Sequence, residues 1–393
     1  MTHIVRAFVP FLAILILAGC ADLTKPAPAP VCPDCAAPVR PAEARYQPAP
    51  FAAITGWPTA SLAPGLRAFA TGCARMTAGS ALQRSCEAAR AVPADNEAAA
   101  RAFVEASFQA WAIASADGAT EGLVTGYYEP VLAGSRTRSE RFRQPIYGIP
   151  PDLVAVELES VNPDLKGLRL RGRMAGSRLV PYWSRAEIEA NKEFRAPILA
   201  WVEDPVELFF LQIQGSGQVD LGAGQRLRLG YGDQNGHPYR SVGRILVERG
   251  ELTLDQASMQ GIKAWAAANP RKLRETLDAN PSYVFFREMT DGGTQAGPVG
   301  TLGVPLSAGY SIAVDPRSVP LGAPVFLATT WPLSALPLGR LVAAQDTGGA
   351  IRGAVRADFY WGSGSEAGSL AGRMRQPGRL WILWPRGEAP PDR

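Results

Sequence analysis

Histidine is almost missing from this sequence: His3 and His237 are the two present in 393 residues. That scarcity excludes most histidine-built metal sites and every Ser-His or Cys-His nucleophile scheme that does not use His237. No metal and no cofactor is expected, and acid–base chemistry has to run on carboxylates. Charge is also scarce. Forty basic against thirty-six acidic residues leave a net charge of +4, with no basic run interleaved with aromatics, so nucleic acid is not an expected partner. No apolar run is long enough to span a bilayer, and no fixed-period repeat occurs. The glycine-rich Gly362-Ser-Gly-Ser lacks the lysine and strand–helix context of a phosphate loop.

What is present begins at the N-terminus. Met1–Arg6 carries one Arg and no acid, and Phe8–Leu17 is almost wholly apolar, broken by Pro10. This is a secretory signal over residues 1–19. Leu17-Ala18-Gly19-Cys20 resembles the lipobox of bacterial lipoproteins. The resemblance implies cleavage before Cys20 and its acylation. With Ala21 next, it also implies sorting to the outer membrane, periplasmic face, with the membrane held through the lipid anchor. Residues 20–50 are rich in proline and alanine and read as a stiff, extended tether reaching up to roughly 90 Å.

Besides Cys20 there are four cysteines. Cys32-Pro-Asp-Cys35 has neither a second CxxC nor a strand–helix context, so it reads as an oxidised or idle pair in the tether. Cys73 and Cys86 are an open case for a disulfide between two helical turns.

The folded body starts near Phe51. Helical patterns cover Leu62–Met76, Ala81–Arg90 and about Asn96–Ser115, with Asp95 as the expected cap. Strand and turn signals run from Gly122 to about Gly232. Within them lie a capping box at Ser184–Glu187 and a strand-like run at Pro205–Val219, interrupted by Gly215-Ser216-Gly217. Helices return at Arg240–Arg249 and Thr253–Ala268. Strand signals every eight to twelve residues from Asn280 to Pro385 point to a small barrel. The expected division is a barrel part over residues 51–130, an inserted β-domain over 131–233, a second barrel part over 234–386 and a tail over 387–393.

Three aspartates in the last strands stand in apolar surroundings. Asp315-Pro316 reads first as a turn start, and Asp346 before Gly348-Gly349 as either a turn cap or a functional group. Asp358 is wedged between Val355-Arg-Ala and Phe359-Tyr-Trp, where a turn carboxylate has no need of three aromatics. Apolar surroundings keep a carboxyl protonated as a general acid, and a general acid beside aromatics suits glycosidic cleavage.

Asp315, the run Gln345–Gly353 and Asp358-Phe-Tyr-Trp-Gly362 resemble the three-aspartate domain of the membrane-bound lytic murein transglycosylase A family. Thr125–Pro130, Gln144–Tyr147, Gln212–Gly217, Gly236–Ser241 and Asn280–Phe286 are similar to that family in the same order. The resemblance implies a mainly β fold with flanking helices: a six-stranded double-psi β-barrel, a second β-rich domain inserted into it and a groove between them. The implied activity is cleavage of the β-1,4 bond between N-acetylmuramic acid and N-acetylglucosamine in peptidoglycan. The muramyl 6-hydroxyl attacks its own anomeric carbon, so products carry 1,6-anhydro ends. Asp358 matches the family's catalytic Asp. Asp346 matches a second aspartate, assigned to tuning the acid or holding the groove. Thr125, Tyr127, Gln214, Ser216 and Asp315 are assigned to the substrate, and His237 to a turn. Some members carry His-Phe directly before the catalytic Asp, where this chain has Arg356-Ala357.

Three rivals stand beside this reading. A hydrolytic muramidase needs a second carboxylate, with Asp346 and Glu129 available. A non-catalytic glycan-binding barrel resembling expansins, or a structural lipoprotein tethering murein, needs none.

Overall fold

The computed structural model describes residues 44–158, 160–162, 170–289 and 297–391. The signal, Cys20 and the Cys32–Cys35 pair lie outside them. In chain order the first elements are β1 (Arg45–Ala49), α1 (Ala63–Ala70), α2 (Ala81–Ala89), α3 (Glu97–Ser107), β2 (Phe108–Ala114) and β3 (Gly122–Glu129). Then come β4 (Val131–Ser135), β5 (Gln144–Tyr147), β6 (Val154–Val156), β7 (Leu170–Ala175), β8 (Arg178–Pro181), α4 (Arg185–Ala190) and β9 (Ile198–Val202). The middle closes with α5 (Pro205–Gln214), β10 (Gly217–Gly222), β11 (Gln225–Gln234), α6 (Val242–Glu248), α7 (Met259–Ala268), α8 (Pro270–Asp278) and β12 (Val284–Glu288). The last elements are β13 (Ser311–Val314), β14 (Pro324–Thr330), β15 (Pro337–Asp346), β16 (Arg356–Ser363), α9 (Gly364–Ala371) and β17 (Arg375–Pro385).

Six strands close a ring in the order β17-β14-β15-β13-β16-β3. The closing pair joins Arg375–Gly378 of β17 to Gly122–Thr125 of β3, and the far half of β17 also holds β2 and, beyond it, β1. Two neighbouring pairs, β13–β15 and β16–β3, are parallel; the rest of the ring is antiparallel. Inside are Val124, Ile312, Val314, Val325, Val342, Ala357, Phe359 and Ile382, with α1 and α2 covering the outside through Leu66, Phe69 and Cys86. A second sheet runs β12-β11-β10-β4-β9-β5 around Leu132, Ile146, Val219 and Phe286, and β6–β8 form a three-stranded ribbon. This is the mainly β barrel with a second β-rich part that the sequence led us to expect.

Several boundaries differ from expectation, each for a local reason. Residues 45–49 were expected within the tether but pair with β2; an extended Pro/Ala segment makes an edge strand, where Pro48 costs no central hydrogen bond. The third helix is capped by Asn96, which accepts from the Ala99 N–H, rather than by Asp95. It stops at Ser107, because Phe108, Ala110, Ile113 and Ala114 are buried in a strand held between β1 and β17. Alanine-rich sequence favours helix, but sheet partners on both edges decide otherwise. The run from Pro205 is a helix, not a strand. Asp204 accepts from the Val206 and Glu207 N–H groups, Pro205 opens the first turn, and Gly215 ends it at φ +77°. The helix expected from Thr253 starts at Met259 under a Ser258 cap, while Thr253 and Gln256 keep one bond of a capping box. An end of the inserted part near 233 would divide β11 from β12, its sheet partner; the chain returns to the barrel after Glu288.

Cys73 and Cys86 are disulfide-bonded, tying the turn after α1 to α2. Closing a loop of 13 residues in the unfolded chain stabilises the fold by about 3 kcal/mol. Cys73→Ser/Cys86→Ser is expected to melt several degrees below the parent by calorimetry, and added reductant should lower the parent's melting temperature towards the variant's. Equal melting of the two would show that the bridge contributes nothing. Among the described residues no helix is long and apolar enough to cross a membrane.

Candidate active site

The candidate site lies on one row of residues crossing four barrel strands. Thr125 of β3 is in register with Asp358 of β16, Asp358 with Ala313 of β13, and Ala313 with Asp346 of β15. Residues side by side across a sheet share a face, and successive residues along a strand alternate. Ile312, Val314, Ala357 and Phe359 fill the barrel, so Ala313 and Asp358 face outward. The backbones of the two aspartates are therefore about 10 Å apart, two strand spacings, with the small Ala313 methyl between them.

Asp358 is half-buried. Its Oδ1 accepts from the Thr125 hydroxyl at 2.5 Å, and Thr125 Oγ1 in turn accepts from the Arg356 guanidinium at 2.9 Å. Burial pushes the Asp358 carboxyl up to about 6; Thr125 and Arg356 pull it down, and the Asp346 charge adds to the rise. Asp358 is thus poised near neutrality, as a group that gives and retakes a proton requires.

Asp346 is held on both oxygens. Oδ1 accepts from the Thr301 N–H at 2.9 Å and the Thr301 hydroxyl at 2.8 Å, and Oδ2 accepts from the Tyr127 hydroxyl at 3.2 Å. Burial first, then the Asp346 and Asp358 charges, push Tyr127 well above the ordinary phenol range, so it is a proton donor at every relevant pH. On the opposite face of β3, Gly126 lets α9 close in: a Cβ there would meet Trp361 Nε1 at 2.6 Å and the Ala371 backbone at 2.9 Å. At the other end of β3, Gln214 Oε1 accepts from the Tyr128 N–H at 3.4 Å. Ser216 is half-buried in the turn into β10.

Of the residues the sequence singled out, the structure brings Thr125, Tyr127, Asp346 and Asp358 together, with Gln214 beside the same strand and Ser216 two residues further on in the turn. Asp315 is a correction. It is 1% exposed, and its carboxylate takes the Arg317 guanidinium on both oxygens at 3.0 and 2.6 Å and the Gly353 N–H at 2.9 Å. Burial pushes its carboxyl up, but these hydrogen bonds outweigh it and hold Asp315 below the usual range. It ties the loop before β16 to the end of β13 and has no oxygen left for a sugar, which is the turn role its Pro316 neighbour suggested. His237 is a turn residue as expected, with Nε2 at 2.8 Å from the Tyr182 carbonyl. Thr301 was missed. It reaches Asp346 from forty-five residues away, and no spacing in the sequence marks it.

Glu129 is 2% exposed and takes hydrogen bonds from Gln218 Nε2 at 2.8 Å and the Ser363 hydroxyl at 2.6 Å. A buried carboxylate so engaged is not placed to activate water. Among the described residues no cluster of metal-ligating side chains occurs.

Residues 123–287 match the MltA specific insert domain and residues 310–384 match the 3D domain. The membrane-bound lytic murein transglycosylase A of Escherichia coli K12 is 34% identical over 288 residues, covering 70% of this chain and 68% of that protein. The crystal structure of MltA from Neisseria gonorrhoeae in its monoclinic form superimposes with a TM-score of 0.79 at 43% identity, over 89% of this chain and 95% of that one. Escherichia coli MltA with bound chitohexaose matches with a TM-score of 0.66 at 30% identity, over 86% and 94% of the two chains. The chain belongs to the membrane-bound lytic murein transglycosylase A family.

Proposed function

We propose that this protein is a lytic transglycosylase that cleaves the MurNAc-β-1,4-GlcNAc bond of peptidoglycan glycan strands with 1,6-anhydromuramyl products, using Asp358 first as acid and then as base. The observation that carries the reading is a single half-buried carboxylic acid, pushed up to about 6, with one oxygen accepting from Thr125 and the other left to face a substrate. Protonated Asp358 gives its proton to the glycosidic oxygen as the C1–O bond to the leaving N-acetylglucosamine breaks. The muramyl O6 then bonds to C1, and its proton passes to the Asp358 carboxylate, restoring the acid. Atoms balance without water. Thr125 orients Asp358. Asp346, held by Thr301 and Tyr127, keeps a negative charge near the acid that favours its protonated form. The partly exposed residues of β3, with Gln214 alongside, support a role for that strand in lining the sugar groove.

The relatives' names support peptidoglycan as substrate, and the chitohexaose-bound relative supports a groove that takes a β-1,4 glycan. We further propose anchoring through acylated Cys20 at the periplasmic face of the outer membrane, a reading supported by the Leu-Ala-Gly-Cys motif and by relatives named membrane-bound.

The test is digestion of purified murein in ¹⁸O-water followed by mass spectrometry of the soluble products. The expected products are one water lighter than reducing-end muropeptides and carry no label, because the nucleophile is intramolecular. One ¹⁸O per muramyl end would establish a hydrolase instead. Failure to release any soluble product would favour the glycan-binding or tethering reading.

A further inference from the structure

Arg356 stands two residues before Asp358 on β16, so both side chains project from the same face of the strand. Its guanidinium is anchored by three acceptors: the Leu123 carbonyl at 3.3 Å, the Ala357 carbonyl and Thr125 Oγ1 at 2.9 Å. The first two fix the group over the β16–β3 pair. The third has a directional consequence. A guanidinium only donates, so Thr125 Oγ1 accepts from it, and the single hydroxyl proton of Thr125 is left to point at Asp358 Oδ1, 2.5 Å away. A threonine without such a neighbour can turn its hydroxyl either way.

We propose that Arg356 is a positioning residue for the reaction: by donating to Thr125 it locks the threonine hydroxyl onto Asp358 Oδ1 and so makes Oδ2 the oxygen that delivers and recovers the proton. With Oδ1 taken, the proton of the neutral acid resides on Oδ2. When that proton leaves, the new carboxylate is held by the Thr125 hydroxyl and the nearby guanidinium, so the cation favours the state that follows leaving-group departure. This inference rests on Asp358 being the acid.

The groups facing Asp358 set what the test reads. From β3 come Thr125 and Tyr127, from β15 Asp346, and from β13 the Ala313 methyl. On β17, Arg375 is in register with Thr125, and on β16 itself stands Arg356. Burial and Asp346 favour the protonated acid, while Thr125 and Arg356 oppose them. Tyr127 stays a neutral phenol. Removing Arg356 therefore shifts Asp358 further toward its protonated form.

The experiment measures kcat/KM against pH on soluble, uncrosslinked glycan strands for the parent, Arg356→Met, Arg356→Lys, Thr125→Val and the double variant Arg356→Met/Thr125→Val. In the parent the rate falls as pH rises past about 6. In Arg356→Met that falling limb moves higher by about one pH unit, the shift expected from losing one neighbouring opposite charge. The low-pH plateau of kcat drops about tenfold from lost orientation while KM stays near the parent value. Arg356→Lys, which keeps a cationic donor, moves the limb back toward the parent. The double variant loses no more than Thr125→Val alone, because both residues act along one chain of hydrogen bonds. An Arg356→Met profile that overlays the parent's, or a double variant whose loss is the product of the two single losses, overturns the proposal. Retained turnover in Asp358→Asn would remove the acid reading itself, a different failure that the same assay distinguishes.

Discussion

Asp358→Asn is expected to abolish release of soluble muropeptides, with kcat lowered by roughly 10³–10⁴, the upper end of what a single acid–base group contributes. The magnitude follows from double use. The same carboxyl protonates the leaving oxygen and takes the 6-hydroxyl proton, so an amide fails at both steps. The fold should survive. The introduced amide keeps an oxygen to accept from Thr125, and a neutral group suits a site where burial already disfavours the carboxylate. Circular dichroism and melting temperature should match the parent, and binding to isolated murein should persist. The pH profile adds a second signature. Asp358 acts in its protonated form and titrates near 6, so parent activity is present below that pH and falls above it; residual activity in Asp358→Asn should lack that limb. Turnover within tenfold of the parent would show that another group supplies the proton.

Asp358 was legible because its neighbours are incongruous: an Asp between an apolar strand and Phe359-Tyr360-Trp361 has to be explained by chemistry or by a partner. The register explains the rest, since only the fold sets Thr125, Asp358, Ala313 and Asp346 in one row. The Ser184 capping box was equally plain, because a cap is a local event; both of its reciprocal bonds form. The α3–β2 junction was not plain. Residues 97–114 are alanine-rich throughout, and the switch at Phe108 is imposed by strands from residues 45–49 and 381–385. Thr301 and Arg356 escaped for a related reason. Each acts through a partner far away in the chain, on Asp346 and on Thr125, and neither residue type in itself announces a role. Asp315 shows the converse: a motif aspartate whose oxygens the fold consumes.

Glu129→Leu is expected to destabilise the fold about as much as loss of the disulfide. Glu129 is the last residue of β3, and the chain crosses from barrel to second sheet at Pro130, where a loose joint would leave the groove without fixed walls. Its carboxylate takes the Ser363 hydroxyl at 2.6 Å from the end of β16, in the barrel. It takes Gln218 Nε2 at 2.8 Å from β10, in the second sheet, and the Arg228 guanidinium of β11 lies 3.9 Å away. Gln218 is itself fixed, accepting from Arg226 at 3.0 Å and donating its N–H to the Pro130 carbonyl at 2.8 Å. One buried acid thus joins both sheets at the crossing. Glu129→Leu keeps comparable bulk but takes that acceptor from the Gln218 amide and the Ser363 hydroxyl and removes the negative charge beside Arg228. The expected cost is about 2–4 kcal/mol, because buried donors without partners forfeit their desolvation. In a chain of this size that lowers the melting temperature by roughly 3–6 °C. Glu129→Gln retains one carbonyl acceptor and should lose about half as much. If Glu129 fixes the groove rather than entering the chemistry, Glu129→Gln should raise KM on glycan strands while keeping most of its kcat. A collapse of kcat in Glu129→Gln at unchanged KM and unchanged melting temperature would instead make it the second carboxylate of a hydrolase, and the anhydro product would then be missing as well.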